Sequence, residues 1–317
     1  MTQLLILLGL TETVRKQYRD RLQARFPDLT IHVADHHSKV APYIATADIL
    51  VTFTPMMTSQ VLEAAPALKW IQTLGTGLDN LIDLPTLRKD VIVTNVRGIH
   101  GPPVSEAAIG AMLALARDLP RAVRAQDERQ WRRFPAQLLH NKTVGIFGVG
   151  AIAAALAPKC KALGMRVIGI STAPRDVPGF DEIRARDELS RIAGEIDFLV
   201  LLTPLTAATR NSVGAKVFTA MKPTSFLVNL ARGGVVDEAS LLEALAAGRI
   251  AGAALDVFNE EPLPADHPFW GMHNVIITTH QGGFCDVYID YALPTVEANL
   301  RSFLCGDIAG MINVVAH

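Results

Sequence analysis

Arg232, Glu261 and His280 combine a permanent cation, a carboxylate and an imidazole in the C-terminal third of the chain. Each lies at or just past the end of a short apolar run: Ser225–Ala231, Ile250–Phe258 and Asn274–Thr279. Runs of that length and composition read as buried strands. In an open parallel α/β sheet, ligands bind in the crevice outside the carboxyl ends of the strands. Three such ends would deliver the three groups to one crevice, which makes them a candidate catalytic site. The plain alternative is three unrelated surface polar residues, since isolated polar groups at strand ends are common.

A second signal lies upstream. Lys142–Ala153 is a strand running into a glycine turn, followed by a helix over Ala151–Leu163. Gly148 and Gly150 fill the first two positions of a dinucleotide fingerprint; the first makes the tight turn and the second admits backbone to the pyrophosphate. Ala153 takes the third position, where close helix–strand packing remains possible. Ala151 and Ile152 open the helix, whose N-terminal N–H groups and positive dipole end suit phosphate. The next strand, Met165–Ile170, ends in Ser171, Thr172, Ala173, Pro174 and Arg175, with no carboxylate for an adenosine ribose. Two hydroxyls and a cation favour NADP over NAD, because an acidic residue there would repel a 2′-phosphate. Asp176 weighs the other way, and a solvated loop whose Arg175 touches nothing is the plain alternative.

The elements that must hold these residues follow an alternating plan. Leu4–Leu8, Thr30–Val33, Ile49–Phe53, Lys69–Thr73 and Val91–Asn95 read as strands, and Glu12–Arg25 and Ser59–Ala65 as helices. Such alternation implies βαβ units and parallel sheets. A long helix is expected to begin after Pro102-Pro103 and to stop at Leu119-Pro120. Its segment Ala107–Ala116 is apolar nearly all round, so several sides should be buried. Arg121–Asn141, with Trp131 and Phe134, reads as an arm between domains. A second alternating series spans about Thr143–Thr279. Val287–Phe303 reads as a tail helix, interrupted or shifted at Pro294, that returns to the first domain. The fold expected is therefore α/β with two Rossmann-like domains.

Composition sets outer bounds. The 317 residues are 50% hydrophobic and 19% charged with a net charge of −1, which supplies a large core and no electrostatic footprint for nucleic acid or an anionic membrane. Cys160, Cys285 and Cys305 have no metal-like spacing and read as reduced thiols of a cytoplasmic protein. The apolar opening near Leu4–Leu10 reads as a first strand rather than a signal peptide.

Several further motifs stand in a fixed order: Gln72–Asp79, Thr94–Gly98, Val104–Ala108, Thr203–Thr206, Asn229–Glu238, Ala251–Pro264 and Asn274–Gly283. Together with the glycine loop they resemble the D-isomer-specific 2-hydroxyacid dehydrogenases, which include glyoxylate/hydroxypyruvate reductases and phosphoglycerate dehydrogenases. The resemblance covers nearly the whole chain and is weakest over about the first 65 residues. It implies a cofactor domain, 101–286, inserted into a discontinuous flavodoxin-like substrate domain, 1–100 and 287–317. It also implies hydride transfer between NAD(P)H and a small 2-oxo acid to give a D-2-hydroxy acid. Arg232 would grip the carboxylate and polarise the keto oxygen. His280 would be the general acid for reduction, imidazole having an ordinary pKa near neutrality. Glu261, rather than Glu260, would hold the other ring nitrogen. Backbone N–H groups of Leu74, Gly75 and Thr76 would meet the substrate carboxylate. Thr203, Pro204, Leu230, Ala231, Asp256, Gly282 and Gly283 would line the cofactor with Gly148, Gly150, Ala151, Ile152, Ser171, Thr172 and Arg175.

The sequence departs from the family pattern at Ala151, where many members carry Arg, and at Thr279, where Pro is common. Glu261 itself speaks against the formate dehydrogenases, which have Gln there. No metal site is expected. Side-chain specificity would depend on loops near Thr52–Met57, Leu74–Leu78 and Trp131–Phe134, with Met56 and Met57 as either a substrate wall or plain core. The resemblance further implies a homodimer through the cofactor domain and domain closure around substrate. A nucleotide-sensing scaffold, like the family's corepressor relatives, and phosphite oxidation remain alternatives, because such relatives keep the same three residues.

Overall fold

The computed structural model describes residues 1–79 and 81–317. The chain divides into two compact units, one formed by Met1–Ile99 with Asp286–His317 and the other by His100–Cys285. In the first unit, β1 (Gln3–Leu7), α1 (Glu12–Arg25), β2 (Thr30–Ala34), α2 (Ala41–Ile44), β3 (Ile49–Thr52), α3 (Ser59–Glu63), β4 (Trp70–Thr73) and β5 (Ile92–Thr94) succeed one another in order. The second unit contains α4 (Gly101–Ala116), α5 (Leu119–Asp127), β6 (Thr143–Phe147), α6 (Ala151–Ala162), β7 (Arg166–Ser171), β8 (Glu182–Ala185), α7 (Leu189–Ile192), β9 (Phe198–Leu201), α8 (Ala215–Ala220), β10 (Phe226–Asn229), α9 (Glu238–Ala246), β11 (Gly252–Leu255) and β12 (Val275–Ile277). The chain then returns to the first unit with α10 (Tyr288–Leu304) and β13 (Val314–Val315). The α/β plan expected from the alternation is therefore present.

The second unit's sheet is wholly parallel, in the order β12-β11-β10-β9-β6-β7-β8. Helices cover both faces of such a sheet, so its central strands must be apolar throughout. All four residues of β9, β10 and β11 are accordingly buried. The strand order reverses between β6 and β9, which opens a crevice at their carboxyl ends. The first unit's sheet runs β13-β5-β4-β3-β1-β2, with its own reversal between β1 and β3. Its β13 pairs antiparallel with β5, an exception to the all-parallel expectation. Inside this unit α10 is anchored by polar groups: Asn299 donates to Gln72 Oε1 at 2.9 Å and Tyr288 Oη to the Leu74 carbonyl at 2.6 Å.

Three sequence expectations need correction. The residues after Leu119-Pro120 form α5, because Asp118 turns through a left-handed conformation (φ 49°) and Pro120 then occupies a first turn. Proline lacks an N–H that the first turn does not use, so there it starts a helix as readily as it ends one. The arm is thus confined to the residues between Asp127 and β6. Pro294 does not interrupt α10, which is continuous around it. Finally, within the single chain α4 is buried on one side rather than several. Val104, Ala108, Met112 and Leu115 are buried, while Glu106, Gly110 and Leu113 are exposed.

Candidate active site

Strand register places the three candidate groups together. Asn229, Leu255 and Ile277 are paired neighbours at the ends of β10, β11 and β12. Arg232 lies three residues past the first, Glu261 six past the second and His280 three past the third. His280 Nδ1 lies 2.7 Å from Glu261 Oε2, and Glu261 Oε1 accepts from the Phe258 N–H at 3.0 Å. Of the two adjacent glutamates it is Glu261, not Glu260, whose carboxylate meets the imidazole.

The turn bearing Arg232 is stapled by Asn229, which accepts from the Ala231 N–H at 3.1 Å and donates to the Arg232 carbonyl at 3.1 Å. Gly233 then packs so tightly on the next loop that a Cβ would stand 2.0 Å from the Phe258 carbonyl carbon. A larger residue would push the Arg232 turn away from the loop that carries Glu261. The sequence displays this glycine within Arg232-Gly233-Gly234, but only the long-range contact explains it.

Asp256 organises the His280 loop from beneath. Its Oδ1 accepts from Thr278 Oγ1 at 2.5 Å and from the Gln281 N–H at 3.0 Å, and its Oδ2 from the Gly282 N–H at 2.9 Å. The Asp256 carbonyl takes the His280 N–H at 2.7 Å. His280 has a φ of 52°, rare for a residue with a Cβ. The surrounding bonds hold it in that strained conformation. Sequence reading assigns Asp256 a cofactor contact and misses this positioning role.

Burial alone would raise the Glu261 carboxyl. The hydrogen bonds from His280 and from the Phe258 N–H, with the charges of His280 and Arg232, outweigh it and hold the group below its ordinary value of 4.5. Glu261 is therefore ionised at neutral pH and accepts a proton-bearing Nδ1. That leaves Nε2 as the ring atom available for proton exchange. Because the folded value is depressed, the stabilisation is fully present above the unfolded value and is lost as pH falls through the folded one. Thermal melts of wild type and Glu261→Gln should therefore show a wild-type advantage that shrinks from about pH 7 to about pH 3. A gap that stays constant over that range would remove the carboxylate from the stability of the loop.

The glycine loop sits at the strand-order reversal. Gly148 has a φ of 105°, and a Cβ there would lie 2.7 Å from the Thr203 backbone nitrogen after β9. Nothing lies within 4 Å of where a Gly150 Cβ would stand, so the N-terminus of α6 has open space before it. Gly150 caps that helix, with Ala151 and Ile152 in its first turn. A phosphate needs such room beside free N–H groups, so the loop fits a dinucleotide. After β7, Arg175 donates to Ser171 Oγ at 3.0 Å and to the Val149 carbonyl at 2.8 Å. It is therefore folded against the glycine loop rather than solvated alone. Arg186, absent from the sequence reading, donates to Thr172 Oγ1 at 3.0 Å and to the Ala208 carbonyl at 3.1 Å. The remaining expected cofactor residues lie on adjoining loops: Pro204 accepts from Thr209 at 2.7 Å, Ala231 is buried, Leu230 is partly exposed, and His100 packs over Gly283.

One expectation in the first unit changes. The Leu74 N–H already donates to the Thr52 carbonyl at 2.8 Å, continuing the strand pairing, and cannot serve a substrate. The Gly75 N–H has no partner among the described residues. Met57 is buried in this unit's core and Met56 packs against the same core, so core is their structural role.

Residues 109–282 match the family profile described as D-isomer specific 2-hydroxyacid dehydrogenase, NAD binding domain. The chain belongs to that family. It is 36% identical over 270 residues to a D-3-phosphoglycerate dehydrogenase of Methanocaldococcus jannaschii, covering 84% of this chain and 51% of the relative. The chain thus spans about half the length of that relative. A glyoxylate reductase of Korarchaeum cryptofilum is 32% identical over 282 residues, covering 84% of this chain and 82% of the relative. An NADPH-dependent glyoxylate/hydroxypyruvate reductase from Sinorhizobium meliloti, solved with NADP and sulfate, superposes with a TM-score of 0.81 at 28% identity. That match covers 99% of this chain and 98% of the other. Among the described residues of this family member, no helix is long and apolar enough to cross a membrane, and no cluster of three or more metal-ligating side chains occurs.

Proposed function

We propose that this protein reduces a small 2-oxo acid to the D-2-hydroxy acid with NADPH. The observation that carries the proposal is the His280–Glu261 pair at 2.7 Å, held beside Arg232 at the ends of adjacent strands. Arg232 binds the substrate carboxylate and polarises the keto oxygen. His280 gives its Nε2 proton to that oxygen as the carbonyl carbon is reduced, and takes a proton back in the reverse direction. Glu261 keeps the ring in the required tautomer and stabilises the imidazolium. A bound nicotinamide cofactor supplies the hydride. Gly148, Gly150 and the first turn of α6 would hold its pyrophosphate, with Thr203 at the same reversal point.

The small-substrate reading, glyoxylate or hydroxypyruvate, is supported by the glyoxylate reductase relative. NADPH is favoured because Ser171 and Thr172 stand where a carboxylate would exclude a 2′-phosphate, and each hydroxyl already holds a guanidinium. A steady-state matrix of NADPH and NADH against glyoxylate, hydroxypyruvate, pyruvate and longer 2-oxo acids tests both points. The expected result is a kcat/KM at least about tenfold higher with NADPH, equivalent to about 1.4 kcal/mol. An equal or larger value with NADH overturns the cofactor assignment. No turnover with any 2-oxo acid overturns the activity.

Two wider readings accompany this one. A homodimer would use the exposed side of α4, where Gly110, Ala111 and Ala114 line a groove of about 530 Å³ with Ala254 and Ile276. A cytoplasmic setting is supported by Cys160, Cys285 and Cys305, all free thiols.

A further inference from the structure

We infer that Arg186, on the segment after β8, is the residue that distinguishes a 2′-phosphorylated adenosine from an unphosphorylated one. The inference rests on the NADP reading above and locates the discrimination in a residue outside the glycine loop and outside the segment directly after β7. Three observations support it. Ser171 and Thr172 are consecutive residues at the end of β7, and a different arginine holds each hydroxyl, Arg175 the first and Arg186 the second. Among the described residues both guanidiniums bond only to neutral acceptors, the other partners being the Val149 and Ala208 carbonyls. Neither forms an ion pair among the described residues, unlike Arg184 two residues before Arg186, which pairs with Glu182 at 2.6 Å. Finally, Arg186 lines a cavity of about 380 Å³ with Thr172, Ala185, Asp187 and Ser212. Arg175 does not line it.

The chemistry favours a phosphate dianion in that cavity. A guanidinium presents a planar fork that binds phosphate through two parallel hydrogen bonds, roughly twice as strong as neutral ones. Exchanging a threonine hydroxyl and a peptide carbonyl for phosphate oxygens strengthens every bond Arg186 makes. Thr172 and Ser212 offer hydroxyls to the remaining oxygens. Asp187 lines the same space and Asp176 is next to Arg175, but neither carboxylate is within ion-pair distance of Arg175 or Arg186 among the described residues.

The test measures binding rather than turnover, using 2′,5′-ADP and 5′-AMP as probes of the adenosine end. Calorimetry on the purified full chain would compare wild type with Arg186→Gln and Arg175→Gln. Wild type is expected to bind 2′,5′-ADP more tightly than 5′-AMP. Arg186→Gln should weaken 2′,5′-ADP by about 10- to 100-fold, the loss of a charge-assisted bond, while 5′-AMP changes less than about threefold. Unchanged 5′-AMP binding also shows that the variant is folded. If Arg186→Gln weakens both probes equally, or keeps its preference while Arg175→Gln loses it, the inference fails and the NADP reading stands. If wild type binds the two probes equally, the NADP reading fails and the inference fails with it.

Discussion

Replacing His280 with asparagine is expected to lower kcat for 2-oxo acid reduction by about 10²- to 10⁴-fold, the usual contribution of a positioned general acid. Asparagine is the informative substitution because the position has a φ of 52°. Asparagine tolerates the left-handed region, whereas alanine would add backbone strain to the loss of the ring. The loop should survive, since its other anchors are backbone N–H groups of Gln281 and Gly282 on Asp256. Cofactor affinity should therefore stay near the wild-type value, with the loss confined to chemistry. A kcat within about threefold of wild type would remove His280 from the reaction and, with it, the central element of the proposed function.

The features that the sequence reveals and those it hides have the same physical root. Short-range signals are legible. Gly148 announces a tight turn because strand, glycine and helix are contiguous, and the structure adds only that Thr203 crowds it. The runs around Val228, Ala254 and Ile276 read as strands because a sheet buried on both faces demands unbroken apolar residues. Contacts between distant segments are not legible. Nothing near Gly233 in the chain indicates that the Phe258 backbone presses on it, and nothing near Thr172 points to Arg186. The Leu74 N–H reads as a substrate donor because sequence cannot show that the Thr52 carbonyl already takes it. Pro120 misleads because a proline marks a helix boundary without saying on which side the helix lies. Asp256 shows a subtler limit. The family resemblance implies a cofactor contact for it, and only the structure adds that both its oxygens hold the loop that carries His280.

Arg232→Ala should lower kcat/KM for the 2-oxo acid by about 10²- to 10⁴-fold, the loss of two hydrogen bonds to a charged group at about 1.5–3 kcal/mol each. The fold should tolerate the change. Asn229 holds this turn through the Arg232 carbonyl and the Ala231 N–H, neither of which belongs to the guanidinium. One bond of the side chain, Nη1 to the Ala231 carbonyl at 2.7 Å, lies on a partly exposed residue and is replaceable by water. Thermal midpoint and cofactor affinity should accordingly remain close to wild type. Arg232→Lys separates charge from geometry. A lysine restores the positive charge but not the planar fork, so it should recover only part of the lost kcat/KM. Full recovery would mean that Arg232 acts as a point charge on its surroundings, Glu261 included, rather than as a bidentate clamp. Both variants at wild-type rates would mean that substrate is held elsewhere. The Arg232 effect should also depend on the substrate's carboxylate, because the clamp is matched to that group. A 2-oxo amide should be a poor substrate for wild type and lose little further on Arg232→Ala, since one of the two interactions being removed is absent from the start.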